Sequence, residues 1–263
     1  MSLTRNLSKA AFALADTFYP KPNGPRLLIY HQVGTSTGRQ MEVTLDDFKS
    51  QLDFLEADFE VVDLESALRR WDEDESHRLV VLTFDDGHRD TYTTAFPLLQ
   101  ERRMPLTLYV ATEQVALASE GIYDKVSPAL TWDEIGEMVS TGLLTVGAHT
   151  HSHLDLRQAT TEQVDGEISV SNALIVDRLG IDPKHFAYPW GYWSEAADSI
   201  VKDRYQSATL GGSTRTTRPF DAHRINRYPV QLSDGFRFFR ARLRGGLLLE
   251  EKVRRALKGY SGP

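Results

Sequence analysis

The sequence predicts an α/β fold with a parallel sheet, closed into a barrel or left open, and three observations predict it. Short apolar, β-branched runs alternate with helical patterns along the chain, as repeated βαβ units do. Two strand-like runs lead directly into polar motifs rich in carboxylate or imidazole, and parallel α/β folds carry their sites at such strand ends. A length of 263 residues matches one α/β barrel, so a single domain over 1–263 is expected.

Residues 27–31, Leu-Leu-Ile-Tyr-His, form the first predicted strand. Thr44 with Asp47 offers a capping box for a helix carrying Leu45, Phe48, Leu52 and Leu55. A strand is predicted at 60–64, and Leu-Val-Val-Leu-Thr-Phe at 79–84 is a strand of the buried type. A turn and a helix with Tyr92, Ala95, Phe96 and Leu99 follow, then a strand over 106–111. Thr131 with Glu134 makes a second capping box, with Ile135, Met138 and Val139 as the apolar face and Gly142 at the C-terminal cap. The strand at 143–147 leads into His149, a long helix over 161–179 ends at Gly180, and a strand at 185–188 runs into Pro189-Trp190-Gly191. Later strands are expected at 206–210 and 224–230, with 211–219 as a mobile loop. Residues 1–24 read either as an N-terminal helix or as a leader remnant, because Arg5 and Lys9 precede an apolar run too short for a firm signal core.

Composition narrows the partners. The net charge of −7, from 30 basic and 37 acidic residues, argues against a nucleic-acid backbone or an anionic membrane. No run approaches the ~20 apolar residues of a membrane-spanning helix. There is no cysteine, so any metal must be held by histidine and carboxylate. Both a cytoplasmic location and export to the cell envelope fit this chain, and nothing in it indicates an oligomeric state.

Two motifs carry the chemistry. In Thr83-Phe84-Asp85-Asp86-Gly87, adjacent carboxylates stand where a buried strand ends. Such a pair repels itself unless a cation or hydrogen-bond donors compensate, which suggests a metal with one acid as ligand and the other free. In His149-Thr150-His151-Ser152-His153, a helical turn would place His149 and His153 on one face, with His151 pointing elsewhere. Two histidines and one carboxylate leave coordination positions open, the pattern of a catalytic metal such as zinc. Water activated there, with a free carboxylate as base, suits amide or ester hydrolysis.

On these motifs the chain resembles the polysaccharide deacetylase family, the NodB-homology or carbohydrate esterase family four, over most of its length. The stretches 28–34 and 186–191 are similar to the branch that includes bacterial poly-N-acetylglucosamine deacetylases. The resemblance implies a distorted (β/α) barrel of about seven or eight strands. It implies Asp85 as catalytic base and Asp86, His149 and His153 as metal ligands. Many relatives carry an arginine that orients the base where Ala187 stands, so Arg227 is the candidate replacement, with Arg224 the alternative. The family's usual Leu-x-His general acid has no clean copy; His31 and His223 are the candidate replacements, and His31, which follows a buried strand at the expected active face, is preferred. Tyr188, Pro189, Trp190 and Gly191 are the expected substrate-binding residues, within an aromatic cluster that includes Tyr192 and Trp193, and a backbone N–H near Tyr188 is implied as an oxyanion donor. His77, His88 and Asp90 take no assigned role.

The resulting expectation is metal-dependent hydrolysis of N-acetyl groups on an N-acetylated glycan, releasing acetate. Zinc is the first choice, and cobalt, nickel or ferrous iron suit the same donors. The alternatives are an O-acetyl esterase, a deacetylase of a lipid- or nucleotide-linked sugar, and a catalytically weak carbohydrate-binding protein.

Overall fold

The computed structural model describes residues 24–122, 124–212 and 220–244. The predicted N-terminal helix or leader, apart from Gly24, and residues 213–219 of the predicted loop lie outside the described residues.

Seven parallel strands close a barrel. They are β1 (Arg26–Tyr30), β5 (Leu79–Asp86), β6 (Leu106–Val110), β7 (Leu144–Ala148), β8 (His185–Ala187), β9 (Ser207–Gly211) and β10 (Ile225–Pro229). The ring runs β1-β10-β9-β8-β7-β6-β5 and shuts where β5 pairs with β1, Leu28 opposite Leu82 and Tyr30 opposite Phe84. β4 (Glu60–Val61) pairs only with Leu79 and Val80 at the start of β5. Two short strands, β2 (Gln32–Val33) and β3 (Glu42–Val43), pair separately beyond the end of β1. The strands are buried on both faces because helices cover the outside and side chains fill the inside, which explains their continuous apolar sequences.

Alternation along β5 sets the two layers of packing. Val80, Leu82 and Phe84 belong to the large cluster shared with the helices, whereas Leu79 and Val81 join Leu27, Tyr109, Ala187 and Ile225 in a second, smaller cluster inside the barrel. Continuing that inner register brings Thr83 and Asp85 from β5, and Arg227 from β10, into the upper part of the interior.

The capped helices follow local chemistry. Thr131 and Glu134 form the full capping box of α5 (Trp132–Ser140), and Thr160 with Gln163 forms another on α6 (Thr161–Leu179), which ends at left-handed Gly180. At α1 (Leu45–Asp58) the expected box is only half made: the Thr44 hydroxyl accepts from the Asp47 N–H and donates to the Asp47 carboxylate. The strand expected over 60–64 stops at Val61, because Asp63 caps α2 (Leu64–Arg69) by accepting from the Ser66 N–H. The helical pattern around Tyr92 and Leu99 is a π turn over Thr91–Ala95 that continues as α3 (Phe96–Glu101). Three helices have no counterpart in the sequence reading: α4 (Thr112–Ser119), α7 (Glu195–Arg204) and α8 (Gly235–Leu243). None of the three forms a side-chain cap, so no capping box marks their starts, and α7 buries only Ala197 and Val201.

Gly147 is required by close packing inside the barrel. A Cβ there would stand 2.5 and 2.6 Å from ring carbons of Tyr109, which itself underlies the Arg227 guanidinium at 5.0 Å. Gly147→Ala should therefore destabilise the protein by about 1–3 kcal/mol, lowering Tm by roughly 2–4 °C per kcal/mol. Calorimetry checks this, and an unchanged Tm would show that the Tyr109 ring can move aside.

Candidate active site

The C-terminal ends of the strands open into a cleft of about 580 Å³. Asp85, Asp86 and four imidazoles, His31, His88, His149 and His153, line it, with Trp190 at its rim.

Neighbouring positions on a strand face opposite ways, and this separates the two acids. Asp85 keeps the strand register and points inward, where it is 4% exposed. Arg227, wholly buried, meets it with both arms: Nη1 donates to Oδ1 and Nη2 to Oδ2, each at 2.7 Å. Nη1 also donates to the Thr83 hydroxyl at 2.8 Å, and that hydroxyl donates to the Leu28 carbonyl at 2.7 Å. The planar fork of arginine suits this bidentate contact, which lysine could not reproduce. Burial opposes ionisation of Asp85, but Arg227 and His149 outweigh it and bring the carboxyl below its usual range.

Asp86 ends β5 in the left-handed region, φ 72°, where a residue with a Cβ is uncommon. The turn aims its carboxylate over the barrel mouth. Oδ1 lies 3.4 Å from His149 Nε2 and 3.3 Å from His153 Nε2, and the three donor atoms sit within 4.8 Å of one another. His149 Nδ1 is 2.7 Å from the Ala187 carbonyl, which can only accept, so the proton of the neutral ring is on Nδ1 and Nε2 is free to ligate. Asp86 Oδ1 is buried and makes no hydrogen bond of acceptable geometry. An anionic oxygen facing imidazole lone pairs calls for a cation between them, and the N,N,O donor set with open positions fits a divalent ion such as zinc.

The charge balance agrees. Burial works against the anion at Asp86, but His149, His88 and His31 outweigh it and hold its carboxyl well below the usual range. Burial, with His149 beside it, pushes His153 down to about 4, leaving a neutral ring. Burial also disfavours the imidazolium of His149, yet Asp86 and Asp85 overcome it, so the pocket draws positive charge to this ring.

The histidine motif does not form the expected helical turn. Thr150 and His153 have φ of 64° and 59°, and an irregular loop brings His149 and His153 together, with rings 4.9 Å apart. Two elements pin that loop. Glu167 of α6 accepts from the N–H groups of His151 and Ser152 and from the Ser152 hydroxyl. At the start of α4, the Thr112 and Glu113 N–H groups donate to the carbonyls of Thr150 and His151. His151 points away from the cleft, its Nδ1 3.0 Å from the Thr112 hydroxyl.

The other expected residues divide. His31 lines the cleft, Nε2 4.0 Å from Asp86 Oδ2. Trp190 is 63% exposed, takes φ 62°, and packs its ring 5.1 Å from His153. Gly191 allows this turn because its Cα side abuts the Gly211 backbone, where a Cβ would come within 2.5 Å. Tyr188 and Pro189 are buried behind the wall, and Tyr188 packs on Phe186. The N–H of Tyr188 itself donates to the Thr209 carbonyl at 3.0 Å and belongs to the sheet. The aromatics do not form one cluster: Tyr192 stacks under Arg157, and Trp193 under Arg224. Arg224 faces Asp198 and Asp221 and stays away from Asp85, and His223 Nε2 is tied to the Tyr205 carbonyl at 2.7 Å.

Removing the guanidinium leaves a buried carboxylate uncompensated. Arg227→Met should cost about 3–5 kcal/mol in urea unfolding, and adding Asp85→Asn should restore part of it. A loss below about 1 kcal/mol would mean that Asp85 is solvated without Arg227.

The polysaccharide deacetylase family profile matches residues 72–206, just over half of the chain, including both motifs. YxkH of Bacillus subtilis (strain 168) is 25% identical over 223 residues, 82% of this chain and 76% of that protein. The poly-beta-1,6-N-acetyl-D-glucosamine N-deacetylase of Staphylococcus aureus (strain MSSA476) is 26% identical over 136 residues, which is 48% of this chain but only 44% of that one. Among solved structures, IcaB from Ammonifex degensii superposes with a TM-score of 0.70 at 24% identity, covering 85% of this chain and 98% of its own. The Streptococcus pyogenes deacetylase PplD in complex with acetate gives 0.72 at 22%, covering 84% and 99%. These structural likenesses concern the fold. With its closed parallel barrel, its paired acids and its histidine loop, the chain belongs to the polysaccharide deacetylase family.

Proposed function

We propose that the protein removes N-acetyl groups from the hexosamine units of a polysaccharide or oligosaccharide, releasing acetate and leaving a free amine, with a divalent cation held by Asp86, His149 and His153. The observation that carries this reading is the unbonded Asp86 Oδ1 facing two imidazole nitrogens, with a second carboxylate beside it anchored by arginine. The cation, zinc first among the candidates, supplies Lewis acidity that lowers the pKa of water toward ~7 and polarises an acyl carbonyl.

Asp85 is the base. Arg227 occupies one lone pair on each of its oxygens, leaves others open, and fixes the carboxylate at the cleft floor. The carboxyl stays ionised through neutral pH and accepts the proton of the attacking water. His31 carries the proton to the departing nitrogen: of the remaining cleft imidazoles, two face the cation and the third, His88, is committed to Ser127. Burial keeps His31 neutral at rest despite the nearby acids, so it can take up the proton in transit. Trp190 offers the sugar ring a flat apolar face at the rim. The likeness to the staphylococcal N-deacetylase supports an N-acetyl substrate.

Zinc-reconstituted protein should release acetate and primary amine in equal amounts from N-acetylglucosamine oligomers. Chelation should abolish the release, and Asp85→Asn should lower kcat by about 10²–10⁴. No release from these oligomers by zinc-loaded protein would contradict the proposal, and release of acetate from an O-acetylated glycan in their place would point to an O-acetyl ester as the natural target.

A further inference from the structure

The two oxygens of Asp86 face different groups. Oδ1 meets His149 and His153, whereas Oδ2 faces His88 Nε2 at 3.4 Å. His88 is not one of the clustered donor atoms around the candidate cation position, so its ring bears on the carboxylate alone.

Behind His88 stands a partly buried chain of polar groups whose direction can be assigned. Gln32, 3% exposed, donates from Nε2 to the Ser127 Oγ at 2.8 Å. That leaves the Ser127 hydroxyl proton for His88 Nδ1, 3.1 Å away. An imidazole that accepts at Nδ1 carries its proton on Nε2, the nitrogen that stands 3.4 Å from Asp86 Oδ2. The opposite tautomer would set a lone pair against the carboxylate. The backbone holds the parts in register: Arg89 N–H donates to the Pro128 carbonyl at 2.9 Å, Leu130 N–H donates to the Gly87 carbonyl at 2.8 Å, and His88 bridges to Ala129. The segment 127–130 is thereby strapped to the Asp-Asp-Gly turn. Asp86 needs such a strap, because its left-handed backbone is retained only where the surroundings over-determine it.

We infer that His88 is a positioning residue, the last member of a Gln32–Ser127–His88 relay that holds Asp86 Oδ2 and presents Oδ1 as a single-oxygen ligand to the cation. This rests on the reading of Asp86 as a cation ligand. The relay raises cation affinity by fixing the ligand's orientation before binding, and it takes no part in proton transfer to substrate.

The test is the zinc dissociation constant, measured by competition with a chromogenic chelator on the full chain, for wild type, Asp86→Ala, His88→Ala, His88→Gln and Ser127→Ala. His88→Ala should weaken zinc binding by about 10–100-fold. His88→Gln keeps an N–H where Nε2 stood and should recover most of the loss, and Ser127→Ala should show a smaller loss than His88→Ala. If wild type takes up no zinc, or Asp86→Ala binds it as wild type does, the reading of the centre itself fails. If Asp86→Ala loses zinc while His88→Ala retains wild-type affinity, or His88→Gln is as weak as His88→Ala, only the relay is overturned. Should His88→Ala not fold, Ser127→Ala carries the test, and wild-type affinity there overturns the relay.

Discussion

Arg227 and Asp85 meet inside the upper barrel with both guanidinium arms engaged, and the division of labour at the mouth depends on this contact. Two adjacent ionised carboxylates repel strongly in a low-dielectric setting unless each has its own compensation. Arg227 compensates Asp85 from within the barrel, and imidazoles surround Asp86 from above. The strand alternation that turns one acid inward and frees the next to reach over the rim thus becomes a chemical distinction between a carboxylate fixed by arginine and one that faces the histidine pair. Closure of the barrel is part of the same constraint, because Arg227 comes from the last strand and Asp85 from β5, and the closing β1–β5 pairing leaves a single strand, β1, between them.

Strain gathers where this division is made. Of the seven residues other than glycine with positive φ among the described residues, Asp86, Thr150, His153 and Trp190 lie in or beside the cleft. Each would relax in isolation. They are retained by groups on separate elements: Glu167 and the start of α4 for the histidine loop, the close Gly191–Gly211 contact for Trp190, and the strap of 127–130 for Asp86. The rigid sheet supplies the position of the site and these loop contacts supply its orientation, which a binding centre demands to within fractions of an ångström.

The strands and the two motifs were legible because burial on both faces leaves a continuous apolar signature, and because carboxylates and imidazoles at strand ends have few structural uses. Arg227 could be singled out because the usual arginine position is occupied by Ala187 and the chain offers few alternatives near a strand end. The spacing of four in the histidine motif is also that of a helical turn, and nothing local reveals that Glu167 and Thr112 hold the chain in an irregular loop. Tyr188 was expected in the cleft, but strand alternation places it against Phe186 and the sheet uses its N–H. His88 received no role because its partners, Ser127 and Gln32, are 39 and 95 residues apart from their respective neighbours in the relay, distances at which no sequence pattern speaks.

The central claim is that one acid binds the cation and its neighbour does not. A crystal structure of the zinc-loaded protein, with anomalous difference maps at the zinc edge, tests it most directly. The account predicts one strong peak about 2.0–2.2 Å from Asp86 Oδ1, His149 Nε2 and His153 Nε2, with Asp85 still paired to Arg227. A peak elsewhere in the cleft, or Asp85 withdrawn from Arg227 to join the coordination shell, would contradict it.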